Sequence, residues 1–160
     1  PFVLNVHGGP WDRDSYRYDA EHQWLADRGY AVLSVNFRGS TGFGKRFLNA
    51  GDGEWGGRMQ DDLIDALDWA VAARVAHPAR AAIMGGSYGG YAVLCAMTMT
   101  PDRFACGVDC VGPSNLLTDL ATMPAYWAGF APLLYRRIGD PRTEAGRARL
   151  LERSPLTHAA

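Results

Sequence analysis

The chain has 160 residues, 48% hydrophobic and 21% charged, which is the composition of an ordinary folded domain with room for one core. Its 16 basic and 17 acidic side chains give a formal net charge of −1, leaving no basic footprint for nucleic acid or for an anionic membrane surface. No apolar stretch approaches the roughly 18 residues of a membrane span, and no basic-then-apolar leader opens the chain; an odd count of three cysteines points to a reducing compartment, so a cytoplasmic protein is expected. The chain starts at Pro1 inside an apolar run without an initiator Met, which says nothing about a leader in a longer protein.

In chain order, residues 2–6 form a short apolar run stopped by Gly8-Gly9-Pro10, the pattern of a buried strand entering a loop. A helix is expected over 19–27, with Trp24 and Leu25 inward and Gly29 as its stop, followed by a second buried strand over 30–37. Residues 38–57 hold seven glycines with little periodicity and read as a long structured loop. Met59, Leu63, Ala66, Leu67, Ala70, Val71 and Val75 recur at helical spacing, giving an amphipathic helix over 58–76 with Asp61 and Asp62 at its positive end. A third strand over 79–84, a helix over 88–99, a fourth strand over 105–111, helices over 126–136 and 143–152, and a Ser154-Pro155 turn complete the series. Strands alternating with helices of this length predict a parallel sheet with helices on both faces. Cys95 falls in a helix and Cys106 and Cys110 in a strand; an odd count without metal-ligand spacing reads as buried free thiols. No metal, nucleotide or other cofactor is indicated.

Gly85-Gly86-Ser87-Tyr88-Gly89 matches G-x-S-x-G between an apolar strand and a helix-competent run. That turn lifts a serine hydroxyl above the sheet, and its glycines leave room where a Cβ would strike the adjoining strand or helix. Ser87 is therefore the candidate nucleophile; the other use of a serine here is to cap the helix. An alkoxide attacking a carbonyl creates an anion that needs backbone N–H donors. The N–H of Tyr88, at the head of the helix, is one candidate, and Gly9 in the His7-Gly8-Gly9-Pro10 loop is the other. His7 lies too early in the chain to be the general base of such a site and is expected to hold this loop by hydrogen bonds.

Taken together, His7-Gly8-Gly9-Pro10, the run from Asn36 to Gly44, Trp55-Gly56 ahead of Asp61-Asp62, and the run from Gly85 to Tyr91 resemble the catalytic domain of the prolyl oligopeptidase family of serine peptidases. The likeness is strongest to its acylaminoacyl-peptidase and dipeptidyl-peptidase branch and reaches Ser154-Pro155-Leu156. It implies a three-layer α/β-hydrolase fold of which this chain holds the central strands, with an N-terminal propeller and a C-terminal segment lying outside it. It further implies hydrolysis of short or N-acylated peptides through an acyl-enzyme on Ser87, with Gly9 and Tyr88 as oxyanion donors and Arg38 and Trp55 as scaffolding. A small peptide is then the expected partner, with homo-oligomers in the full-length protein.

A serine nucleophile needs a base and a carboxylate to orient it. After Ser87 the only histidine is His158, which would have to draw on Asp102, Asp109, Asp119 or Asp140. In the family pattern the acid and histidine come later, so His158 is expected to be an ordinary loop residue and the true pair to lie beyond Ala160. A carboxylesterase or lipase of the same fold, or a non-catalytic scaffold, are the competing readings. Residues 113–117 and the aromatic Tyr126, Trp127 and Phe130 are candidates for the substrate wall, although that aromatic spacing equally describes a core.

Overall fold

The computed structural model describes residues 1–159. β1 (Phe2–Val6), β2 (Ala31–Ser34), β3 (Ala81–Gly86) and β4 (Cys106–Cys110) form one parallel sheet in the order β2-β1-β3-β4. The helices are α1 (Ala20–Asp27), α2 (Lys45–Asn49), α3 (Arg58–Ala72), α4 (Tyr88–Met99), α5 (Leu116–Ala121), α6 (Ala131–Arg137) and α7 (Glu144–Glu152). From β1 the chain moves outward to β2, then returns across β1 to β3 and β4. With right-handed crossovers, that reversal places α1 on one face of the sheet and α3 and α4 on the other.

The side chains follow the same division. Phe2 and Leu4 stand in register beside Ala81 and Ile83, and all four enter the main core with α3 and α4. Asn5 points the opposite way and donates to Glu21 of α1 at 3.0 Å. Asp19 caps α1 by accepting from the N–H groups of Glu21 and His22, bonds that hold its carboxyl below the ordinary range. On α3 a stripe of Met59, Leu63, Leu67 and Ala70 is buried. α4 is apolar nearly all round because it lies between β3, β4, α3 and the 3₁₀ turn Pro155–His158. Burial there pushes the Cys95 thiol up to about 12. Two polar bonds tie the C-terminal turn down: the buried Ser154 hydroxyl donates to Leu150 O (2.6 Å) and accepts from Leu116 N–H (2.9 Å).

Several expected boundaries and exposures differ. β2 covers only Ala31–Ser34 and is half-buried, because it is an edge strand. Leu25 is buried but Trp24 is 55% exposed, with the Arg28 guanidinium 4.3 Å above its ring. The glycine-rich loop contains the short helix α2, and α3 ends at Ala72, where Arg74 takes a φ of 59°. α5 was not foreseen; Asn115 caps it through the N–H groups of Leu117 and Thr118. The helix expected over 126–136 divides into a 3₁₀ segment, Ala125–Phe130, and α6, whose Pro132 has no N–H to donate and suits only a first turn. Cys106 and Cys110 are exposed rather than buried, because β4 ends the sheet and all five of its residues are exposed; all three thiols are free.

Two substitutions separate space from backbone conformation. A Cβ on Gly89 would collide with the carbonyl oxygen of Val6, which is fixed in the sheet, whereas one on Gly29 (φ +81°) meets nothing within 4 Å. Gly89→Ala is expected to cost about 3 kcal/mol and Gly29→Ala about 1 kcal/mol, read as denaturant midpoints in the full-length protein; equal effects would refute the packing argument. Ser154→Ala, which strands the buried Leu116 N–H, is expected to cost about 2 kcal/mol in the same assay.

Candidate active site

Strand order reverses between β1 and β3, so the loops leaving their carboxyl ends part and open a crevice, the place where open α/β sheets take ligands. Val6 pairs with Gly85, which brings His7-Gly8-Gly9 out beside Gly86-Ser87. A Cβ on Gly8 would already be 3.3 Å from Gly86 O.

Ser87 has φ 55° and ψ −117°, a conformation that costs a non-glycine residue about 1–3 kcal/mol. Its N–H donates to Cys110 O at 2.9 Å and its carbonyl accepts from Tyr91 N–H at 3.0 Å, so one residue ends the sheet ladder and begins the helix. A Cβ on Gly85 would lie 2.7 Å from both Val6 O and the carbonyl carbon of Gly89. The Ser87 side chain is exposed and makes no bond to the N-terminus of α4, which removes the helix-cap alternative.

Tyr88 occupies the first position of α4, where the N–H has no helical acceptor and the helix dipole is positive. Its ring is buried among Phe37, Trp55 and Tyr91 at centroid distances of 5.3, 4.7 and 5.7 Å, and burial raises its phenol well above the ordinary range. Tyr88 therefore offers the crevice its backbone rather than a titrating hydroxyl. Gly9 has φ +112°, and a Cβ there would sit 2.6 Å from the N of Trp11.

His7 holds this loop. Its Nδ1–H donates to Gly8 O at 2.7 Å, which leaves Nε2 to accept from the buried Ser40 hydroxyl at 2.9 Å. The ring stacks on Phe37 at 4.4 Å. In a trans peptide the C=O and N–H point in opposite directions, so anchoring Gly8 O to His7 turns the N–H of Gly9 away from that ring. Arg38 grips Asp62 through Nε (2.8 Å) and a terminal nitrogen (2.6 Å), while its N–H donates to the same carboxylate at 2.9 Å. That grip fastens the Arg38-Gly39-Ser40 turn to α3 and raises the Arg38 pKa.

A cavity of 660 Å³ opens in front of Ser87. Gly9, Trp11, Trp55 and Tyr88 form one side, and Pro113, Leu120, Trp127, Phe130 and Ile138 stand among those forming the rest. Of the aromatic candidates, Trp127 and Phe130 line it, whereas Tyr126 is 80% exposed and outside it. Trp11, Trp55 and Asp119 were not foreseen as wall residues: α5 carried no periodic signal, and the two tryptophans reach the site through loop geometry.

All four histidines are engaged elsewhere. His22 bonds Ser34 Oγ (3.0 Å), His77 accepts from Ala79 N–H (3.2 Å), and His158 Nε2 lies 2.7 Å from Glu152 O, alongside His7 on its own loop. Among the described residues none of the carboxylates considered for His158 forms a bond with it. Asp109 accepts from Gly112 N–H, and Arg142 holds Asp140 down to about 2.

The chain matches the family model described as the prolyl oligopeptidase family over residues 16–159. It is 68% identical over 159 residues to dipeptidyl aminopeptidase BIII of Pseudoxanthomonas mexicana, covering 99% of this chain and 23% of that protein. It is 29% identical to the acylamino-acid-releasing enzyme of Arabidopsis thaliana, covering 99% and 21%. A solved puromycin-hydrolyzing peptidase of Mycobacterium tuberculosis superposes with a TM-score of 0.88 at 37% identity, over 99% of this chain and 24% of that one. The chain thus spans about a quarter of the length of the proteins it matches. With four parallel strands, a strand-serine-helix turn and a match over nearly the whole sequence, the chain belongs to the prolyl oligopeptidase family.

Proposed function

We propose that these residues form the central part of a serine peptidase's α/β-hydrolase domain, with Ser87 as nucleophile and the N–H groups of Tyr88 and Gly9 as oxyanion donors. The observation that carries this reading is the exposed Ser87 hydroxyl, on a strained turn at the head of α4, facing the cavity. Ser87 Oγ attacks the peptide carbonyl, and its proton passes to a histidine supplied from outside these 160 residues. The carbonyl oxygen becomes an anion met by the two N–H groups. Collapse expels the amine, protonated by the same histidine, and leaves an ester on Ser87 that water then hydrolyses. A carboxylate, also from outside the chain, orients the histidine.

Short peptides are the proposed substrates. Release of dipeptides from a free amino terminus is the finer reading, supported by the 68% identity to a protein named a dipeptidyl aminopeptidase. Removal of N-acylated residues has the support of a 29% relative. The esterase reading differs only in the leaving group, and the scaffold reading in lacking turnover altogether.

In the full-length protein a fluorophosphonate is expected to label Ser87, and Ser87→Ala to abolish labelling and lower peptide-anilide turnover about 10⁴-fold or more. Labelling that survives the substitution would move the nucleophile elsewhere, and cleavage of p-nitrophenyl esters without any peptide anilide would favour the esterase. Because His7 sets the direction of the Gly9 N–H, His7→Ala is expected to reduce kcat by about 10²-fold with little change in KM. A loss confined to KM would assign His7 to substrate binding instead.

A further inference from the structure

Among the described residues that line the cavity in front of Ser87, Asp119 is the one whose side chain carries a formal charge. It sits on α5, four residues after the Asn115 cap, with its outer side open to solvent. Some carboxylates have cations, as Asp62 has Arg38, Asp52 has Arg137 at 3.1 Å and Asp140 has Arg142, whereas exposed ones such as Asp65 and Asp102 have none; what sets Asp119 apart is its place in the cavity wall. No described residue gives the Asp119 carboxylate an ion pair or a hydrogen bond; the Thr122 hydroxyl reaches only its backbone oxygen, at 3.3 Å. The surrounding apolar wall raises its pKa through desolvation alone, with no neighbouring charge to offset it.

A carboxylate without an ion pair in the wall of a largely apolar cavity has a defined complement. It is a side chain with a hydrocarbon stem and a cationic tip, which buries the stem and presents the charge. The rings of Trp127 and Phe130 in the same wall also favour a cation over a neutral polar group. Resting on the peptidase reading above, we infer that Asp119 is a specificity-determining residue that lets this pocket accept lysine or arginine, beside apolar residues, at the position before the scissile bond.

Citrulline, which has the shape of arginine without its charge, provides the test. Full-length enzyme is assayed on p-nitroanilides of Gly-Arg, Gly-citrulline and Gly-Phe, each with a free and with an acetylated amino terminus. The wild type is expected to favour arginine over citrulline about tenfold in kcat/KM. Asp119→Asn should bring that ratio close to one, and Asp119→Glu should retain the preference.

Equal wild-type rates on arginine and citrulline, with Gly-Phe cleaved, would overturn the inference and leave the peptidase reading standing. A loss in Asp119→Asn that tracks the free amino terminus whatever the second residue would also overturn it, by assigning Asp119 to the substrate's terminal ammonium. Failure of the wild type to cleave any of the anilides would overturn the peptidase reading itself.

Discussion

Three pieces of backbone meet where the end of β1, the end of β3 and the first turn of α4 touch without an intervening side chain. The Val6 carbonyl lies against Gly85 and Gly89 so closely that a Cβ on either glycine would occupy the space of backbone atoms. This contact sets how near α4 comes to the sheet. It thereby allows Ser87 to keep its N–H on Cys110 while its carbonyl starts the helix. Those two bonds keep Ser87 at a positive φ, so the strain of the turn is stabilised by the sheet on one side and the helix on the other. Moving the helix outward would relax Ser87 and withdraw its hydroxyl from the crevice in the same step.

A chain of rings carries the same constraint sideways. His7 stacks on Phe37, Phe37 meets Tyr88, Tyr88 meets Trp55 and Tyr91, and the Tyr91 hydroxyl donates to Arg153 O at 2.7 Å. The loop after β1, the serine turn and the C-terminal segment are thus referenced to one buried aromatic cluster. Gly56 belongs to it as well: at φ +62°, a Cβ there would lie 2.6 Å from the Tyr91 hydroxyl. Aromatic rings suit this task because they fill volume with few rotatable bonds, and a position set by packing is held within a fraction of an ångström.

What the sequence made legible follows from range. The serine turn depends on residues within a few positions of one another, so Gly85, Ser87 and Gly89 could be read directly, as could α4 and the four strands. The loop role of His7 was also readable, because its Gly8 contact is local, although its Ser40 partner lies 33 residues away. Exposure was the harder matter. Trp24, Cys106 and Cys110 look like core residues by type, but each lies where the sheet or helix has no covering layer among the described residues. The cavity wall was least legible, since Trp11, Asp119 and Ile138 come from three loops or helix ends that only the tertiary fold brings together.

The two electrical features of the cavity act against each other. Apolar walls exclude water and strengthen the N–H donors proposed to meet the developing oxyanion. The same walls desolvate one side of the otherwise exposed Asp119, and its charge opposes any second negative charge in the cavity. Solvent on the exposed side of Asp119 screens this repulsion to below about 1 kcal/mol. A cationic substrate side chain removes the repulsion as it binds, so its benefit extends from the bound complex into the transition state. A carboxylate unfavourable to turnover of apolar residues is for that reason consistent with a pocket shaped to receive a charged one.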